Sequence, residues 1–90
     1  MEADLTQAPI PIVLKLFAVY GEVIGQDSLP LTVATGTTVG DVLEQLVQDY
    51  PALAPWQTIT RFGVNYQFVG VDHLVSAGDE VVLIPPVSGG

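Results

Sequence analysis

The sequence lacks cysteine altogether and has only two basic residues, Lys15 and Arg61, against ten acids, which gives a formal net charge of −8. Without cysteine there can be no disulfide, no catalytic thiol and no thiolate metal site. Nucleic-acid binding requires several cations to neutralise phosphates, so the charge balance argues against it. A phosphorylated substrate would also have to sit mainly on a partner protein, and this partner should be basic where the two meet.

Long apolar runs are missing as well. The most apolar stretch, residues 10–24, is interrupted by Lys15, Gly21 and Glu22, so we expect no membrane span. Glu2 and Asp4 stand where a signal peptide would need positive charge, which favours a cytoplasmic protein. Since 49% of the 90 residues are apolar and only 13% are charged, the chain can build one compact core, and it has no repeat or linker that would indicate a second domain.

Apolar periodicity predicts the order of the elements. Thr38 and Asp41 resemble a capping box, and an apolar stripe with helical spacing then runs from Val39 to Tyr50, where Pro51 ends it. Runs rich in β-branched and aromatic residues predict strands over residues 12–20, 29–34, 61–65, 67–69 and 80–84, with a turn over residues 21–28 and irregular chain over residues 52–60. The pattern predicts an α+β fold, a mixed sheet of four to five strands covered on one face by a single helix.

Three segments follow from this pattern. Residues 1–11 form a flexible N-terminal extension, residues 12–84 form the domain, and residues 85–90 form an extended tail. Pro85 and Pro86 end the last strand and stiffen the start of that tail. Val87, Ser88, Gly89 and Gly90 follow.

The tail has a chemical interpretation and a trivial one. A terminal carboxylate becomes a good electrophile only as an anhydride such as an acyl-adenylate, and residues without side chains can thread a narrow nucleotide site. In a chain without cysteine, a carried sulfur atom could be bound covalently only at the carbonyl of Gly90, as a thiocarboxylate. The alternative is that two glycines at a frayed chain end have no role.

The sequence from Ile12 to Gly90 resembles the small, sulfur-carrying subunits of molybdopterin synthase, a ubiquitin-related family. The specific matches are the run from Gly78 to Val81 and the ending Pro85–Gly90, joined by Val64-Asn65 and Leu16-Phe17-Ala18. Many relatives have an arginine just before the glutamate that follows the first strand, where this sequence has Gly21.

The resemblance implies a β-grasp fold and a defined reaction. Gly90 would be adenylated by an ATP-dependent adenylyltransferase of the ubiquitin-activating type and then converted into a thiocarboxylate. Pro85–Gly90 would enter a large synthase subunit, as part of a heterotetramer, and Gly90 would sulfurate a cyclic pyranopterin monophosphate during molybdenum cofactor biosynthesis. The chain would bind no metal and no cofactor of its own, and it would not be catalytic alone.

A partner surface is predicted from strand alternation. If the helix covers the face that Leu14 and Leu16 reach, Phe17 points to the opposite face, where Phe68, Val82 and Ile84 join it. An open apolar patch of this kind marks a docking site. The alternative is that these side chains fill a small second core.

Other candidate sites are weaker. His73 beside Asp72 has no second ligand cluster, so we interpret it as a surface residue. Asp79-Glu80 is typical of turn chemistry before a strand, Trp56 of a packing anchor, and Gly36 with Gly40 lacks phosphate-loop spacing. The remaining functional alternatives are a sulfur carrier for thiazole, cysteine or thiolated tRNA synthesis, a ubiquitin-like protein modifier, and a plain interaction domain.

Overall fold

A computed structural model describes residues 8–86 of the chain. Eight elements follow one another: β1 (Ile10–Leu16), α1 (Val19–Ile24), β2 (Ser28–Val33), α2 (Val39–Asp49), a 3₁₀ segment (Pro51–Ile59), β3 (Arg61–Val64), β4 (Gln67–Val69) and β5 (Glu80–Ile84). No helix in this part of the chain combines the length and the hydropathy needed to cross a membrane.

The five strands form one mixed sheet in the order β2-β1-β5-β3-β4. The first and last strands, β1 and β5, are the parallel neighbours, with Leu14 opposite Val81 and Leu16 opposite Leu83. The hairpin partners β1–β2 and β3–β4 are antiparallel, as is the β3–β5 pair. Since a parallel neighbour needs a crossover connection, β5 reaches the sheet centre only after the rest of the chain has passed over one face.

One face of this sheet is covered by α2. Its apolar stripe of Val39, Val42, Leu43 and Leu46 is buried in the same cluster as Leu14, Leu16, Val81 and Leu83. The capping box is present as predicted, because the Thr38 hydroxyl accepts from the Asp41 N–H at 3.0 Å and the Asp41 carboxylate accepts from the Thr38 N–H at 3.1 Å. This topology is the β-grasp arrangement, so the predicted fold class is confirmed.

The region after β1 differs from the sequence prediction. The strand ends at Leu16, and Val19–Ile24 form a short helix where a strand end and a turn were predicted. Val19, Val23 and Ile24 favour strands by propensity, but Tyr20 is completely buried in the core, and tertiary packing holds a helix of six residues that would not form alone. Gly25 ends this helix with a φ of 85° and donates its N–H to the Gly21 carbonyl at 2.8 Å.

Other boundaries differ by a few residues. Strand β1 begins at Ile10, so Ile10 and Pro11 belong to the sheet and not to the predicted N-terminal extension, because the Ile10 side chain packs in the core. The segment predicted to be irregular is the 3₁₀ turn series Pro51–Ile59, in which Leu53 is fully buried. Trp56 packs against the core, as the sequence predicted.

Candidate docking surface beside the C-terminal tail

The sheet face opposite α2 is open to solvent, and we call it the open face. Along β1, Leu14 and Leu16 point to the core with at most 2% exposure, whereas Val13 and Phe17 are 41% and 54% exposed. Because successive strand residues point to opposite faces, Val13 and Lys15 lie on the open face. Phe17 is the first residue after the strand and lies beside Val82 and Ile84 of the same face. An exposed phenylalanine next to other apolar side chains is typical of a binding surface.

An apolar groove of about 270 Å³ crosses the open face next to the end of β5, and we call it the tail-root groove. Its lining residues are Phe17, Gly63, Tyr66, Gln67, Phe68, Glu80, Val82 and Ile84. All four residues of the predicted partner surface are therefore brought together in one groove. Phe68 is 73% exposed, which rules out the second-core alternative for its ring. The role of the groove in binding remains a prediction.

Gly63 forms the floor of the groove. It lies on β3 opposite Phe68 of β4 on one side and Val82 of β5 on the other. A Cβ added to Gly63 would lie 3.7 Å from the Val82 Cβ and 3.9 Å from the Ile84 Cδ1, so its missing side chain would project into the groove. The hollow between the Phe68 ring and β5 therefore exists because this strand position lacks a side chain.

The rim of the groove is formed by the β3–β4 turn. Asn65 and Tyr66 have φ values of 51° and 73°, the pair of positive φ angles that a two-residue type I′ hairpin turn requires. Glycine or asparagine is the usual choice at such positions, so Tyr66 occupies a strained one. Its side chain is 88% exposed beside the groove. Tyr66 was not among the predicted site residues, although the position of Asn65-Tyr66 between two short strands was a signal for it.

A polar network fixes this rim to the start of β5. The Asn65 amide donates to the Asp79 carboxylate at 2.9 Å, and the Asn65 side-chain oxygen accepts from the Glu80 N–H at 3.0 Å. The second Asp79 carboxylate oxygen accepts from the Ser76 N–H at 2.7 Å. Asp79 is only 8% exposed and serves the turn before β5, as predicted. The groove wall is thus rigidly connected to the strand that leads into the tail.

The tail begins at the groove. Ile84 lines the groove, Pro85 is half-buried and Pro86 is exposed. Four predicted tail residues, Val87, Ser88, Gly89 and Gly90, lie outside the described residues. Their predicted roles, including the reactive carboxylate of Gly90, stay predictions. What the structure provides is the position of their attachment point, at the end of the central strand.

The remaining candidates have structural explanations. His73 is exposed, and its backbone carbonyl accepts the Val39 N–H at 2.9 Å, which satisfies one donor at the start of α2. Within residues 8–86 no group of three or more histidine and acidic side chains could hold a metal ion. Burial raises the pKa of the Tyr20 hydroxyl, which hydrogen-bonds Thr60 below the sheet and far from solvent.

Comparison with known proteins identifies the family. Residues 14–90 match the model of the ThiS family. The chain belongs to this family. The resemblance found in the sequence is therefore confirmed, because the curated relatives include molybdopterin synthase sulfur carrier subunits. The subunit of that name from Arabidopsis thaliana is 31% identical over 90 residues, which covers 100% of this chain and 93% of that protein.

One further relative and two solved structures are also similar to this chain. Small archaeal modifier protein 1 of Haloferax volcanii is 38% identical over 85 residues, covering 84% of this chain and 97% of that protein. Its crystal structure matches with a TM-score of 0.73 at 31% identity, over 87% of this chain and 99% of that chain. A complex of subunits 1 and 2 of the molybdopterin-converting factor from Helicobacter pylori includes a chain with a TM-score of 0.62 at 18% identity, over 90% of this chain and 100% of that chain, which shows the shared fold.

Proposed function

We propose that this ThiS-family protein is the sulfur carrier subunit of a molybdopterin synthase and works in the cytoplasm. The observation that carries the proposal is the position of the tail-root groove. Central strand β5 ends in this groove at Ile84, and the ending Pro85–Gly90 follows directly. A partner that covers the exposed aromatic rings receives the tail in the same encounter. Gly90 is then delivered to a neighbouring active site with few free torsions left to fix.

The chemistry needs only the C-terminal carboxylate from this chain. A carboxylate oxygen of Gly90 attacks the α-phosphorus of ATP on an adenylyltransferase, and pyrophosphate leaves. A hydrosulfide equivalent then attacks the acyl carbon, AMP leaves, and a thiocarboxylate results. On the large subunit the thiocarboxylate sulfur attacks a side-chain carbon of a cyclic pyranopterin monophosphate, and an oxygen substituent of that carbon leaves. Water then cleaves the bond between the sulfur and the acyl carbon, which returns Gly90 as a carboxylate. The chain is thus a sulfur-donating subunit, and the groups that bind ATP and the pterin phosphate belong to its partners.

The partners follow from this scheme. One is a large synthase subunit, with which the chain forms a heterotetramer, and the other is the adenylyltransferase. Support comes from the Helicobacter pylori complex of subunits 1 and 2, whose chain shares this fold, and from the similarity to the Arabidopsis thaliana sulfur carrier. Both partners would bind the tail-root groove, one after the other, because the tail leaves the domain at this one place.

Tail variants test the activation step. We expect removal of Gly90, or Gly89→Val, to abolish ATP–pyrophosphate exchange by the adenylyltransferase while the protein stays folded. Gly70→Val is the matched control, because Gly70 is exposed and the nearest atom to its added Cβ, an Asp72 carboxylate oxygen, is 3.4 Å away. Normal exchange with the Gly89→Val protein would contradict the proposal.

A second candidate function is protein modification, favoured by the similarity to small archaeal modifier protein 1. Mass spectrometry of the C-terminal peptide separates the two functions. A sulfur carrier yields a fraction in which sulfur replaces one oxygen of Gly90. A modifier yields Gly90 in isopeptide linkage to lysines of other proteins, and finding this linkage without any thiocarboxylate would reject the carrier function.

A further inference from the structure

Both basic residues of the chain lie on the open face, one on each side of β5. Lys15 of β1 is half-buried and is paired in register with Val82, and Arg61 of β3 is exposed and is paired with Ile84. Their strand neighbours Leu14, Leu16 and Phe62 are buried on the opposite side, which fixes the direction of both side chains. Since Val82 and Ile84 line the tail-root groove, a cation stands on either side of the strand that leads into the tail.

The acids are distributed differently. Helix α2 carries Asp41, Glu44 and Asp49 on its exposed side, on the far side of the sheet from the groove. Glu80 is the one acid among the groove-lining residues. No ion pair joins Lys15 or Arg61 to a carboxylate within residues 8–86. Although the formal charge of the molecule is −8, the two cations that flank the groove thus outnumber the one acid of its lining.

We propose that the partner docking on the tail-root groove presents two carboxylates, one facing Lys15 and one facing Arg61. This proposal rests on the proposed function and specifies the chemistry of the partner. It replaces the simpler expectation, drawn from net charge, that the partner is basic at the contact. From strand geometry the two cationic residues are roughly 12 Å apart between Cα atoms, beyond the screening length at physiological salt, so each needs its own counter-charge.

Desolvation supplies the physical reason. A protein covering Val82 also covers the half-buried Lys15, and removing an ammonium group from water without a counter-charge is costly. A neutral or basic partner surface would therefore bind more weakly, whereas carboxylates at these two places would supply the missing counter-charges. A second copy of this chain is a poor occupant, because two molecules with a formal charge of −8 repel each other. The cations thus select among partners that all offer an apolar surface to the groove.

The test uses charge variants of equal size on opposite sides of the molecule. Lys15→Gln, Arg61→Gln and the control Gln48→Glu each lower the net charge by one, and Gln48 is exposed on α2. Binding to the large synthase subunit and to the adenylyltransferase from the same organism is measured by titration calorimetry, together with ATP–pyrophosphate exchange. Lys15→Arg and Arg61→Lys keep the charge and report any purely structural effect.

We expect Lys15→Gln and Arg61→Gln each to raise Kd about 3- to 10-fold, with effects on the binding free energy that add in the double variant and shrink at high salt. Gln48→Glu and the charge-retaining variants should change Kd less than about twofold. Tighter binding by the glutamine variants would identify a basic contact surface and overturn the proposal. Unchanged Kd values together with normal ATP–pyrophosphate exchange would overturn the two-carboxylate proposal while leaving the proposed function intact. If the wild-type protein binds neither enzyme, both proposals fall, whereas a wild-type protein that sediments as a dimer through this face overturns this proposal alone.

Discussion

Truncating Phe68 or Phe17 to alanine tests the tail-root groove through its two phenylalanine rings. A buried phenylalanine covers roughly 200 Å². With 73% of Phe68 and 54% of Phe17 exposed, roughly 145 and 110 Å² remain for a partner to cover. At roughly 25 cal/mol per Å², complete coverage of these areas would be worth about 3.6 and 2.7 kcal/mol.

The expected loss is smaller, because alanine keeps part of the contact and a partner rarely covers a whole ring. If a partner covers about half of each area, truncation should lower the binding free energy by about 1–2 kcal/mol, which is a 5- to 30-fold rise in Kd. The effect of Phe68→Ala should be the larger of the two. The fold should tolerate Phe68→Ala with little loss of stability because most of this ring is exposed, whereas Phe17→Ala should cost more because nearly half of that ring is buried. Titration of the large subunit gives Kd, and urea denaturation of the free proteins gives the free energy of unfolding.

Leu74→Ala is the matched control, because Leu74 is 58% exposed but lies on the loop that pairs with Thr38 at the start of α2, away from the groove. It removes a comparable apolar side chain and should leave Kd within about twofold, as expected of a residue outside the interface. If Phe68→Ala and Phe17→Ala bind like the wild type, or if Leu74→Ala binds as poorly as they do, the groove is not the docking surface.

Three further predictions follow from the same geometry. Gly63→Val should fill the groove from its floor and raise the Kd for the large subunit about tenfold without loss of thermal stability, because valine favours strands and the atom nearest to the added Cβ, the Gln67 carbonyl oxygen, lies at an ordinary van der Waals distance of 3.6 Å. Gly40→Ala should lower the free energy of unfolding in urea by about 1–2 kcal/mol, because its Cβ would lie 2.8 Å from the Val71 carbonyl oxygen. Tyr20→Phe should cost about 1 kcal/mol at neutral pH. Because burial raises the pKa of Tyr20 above 10.0, the wild type should also lose stability as the pH rises above that value, a loss that denaturation of the phenylalanine variant should lack.

Elements with local signals were predictable from the sequence. The capping box at Thr38 and the apolar stripe that follows it define α2 without reference to the rest of the chain. The strand Glu80–Ile84 was predicted with its observed bounds, because a glycine-aspartate turn precedes it and prolines follow it. Phe17 was also predicted on the open face from the period of a strand, and it lies there although β1 ends one residue earlier.

Features decided by tertiary packing were not predictable. The residues of α1 include two valines and one isoleucine, and their helical conformation depends on the burial of Tyr20 in a core formed by distant residues. The parallel pairing of β1 with β5 joins residues more than sixty positions apart, and no local pattern encodes it. The positions of Lys15 and Arg61 on either side of β5 follow from that pairing, and net charge alone could not locate them.

The distribution of strained backbone supports a binding role for the open face independently of any relative. Among residues 8–86, three residues other than glycine have positive φ angles: Ala18, Asn65 and Tyr66. Ala18 directly follows Phe17, while Tyr66 lies on the groove rim beside Asn65. Strain of this kind costs about 1–3 kcal/mol at each residue other than asparagine, and it persists where the surrounding structure enforces it. Here it occurs at the two chain segments that present an aromatic ring to solvent, while the core beneath α2 contains none. A fold selected for stability alone would place glycine at Tyr66 and polar side chains at Phe17 and Phe68, so the composition of the groove is that expected of a surface that binds a partner.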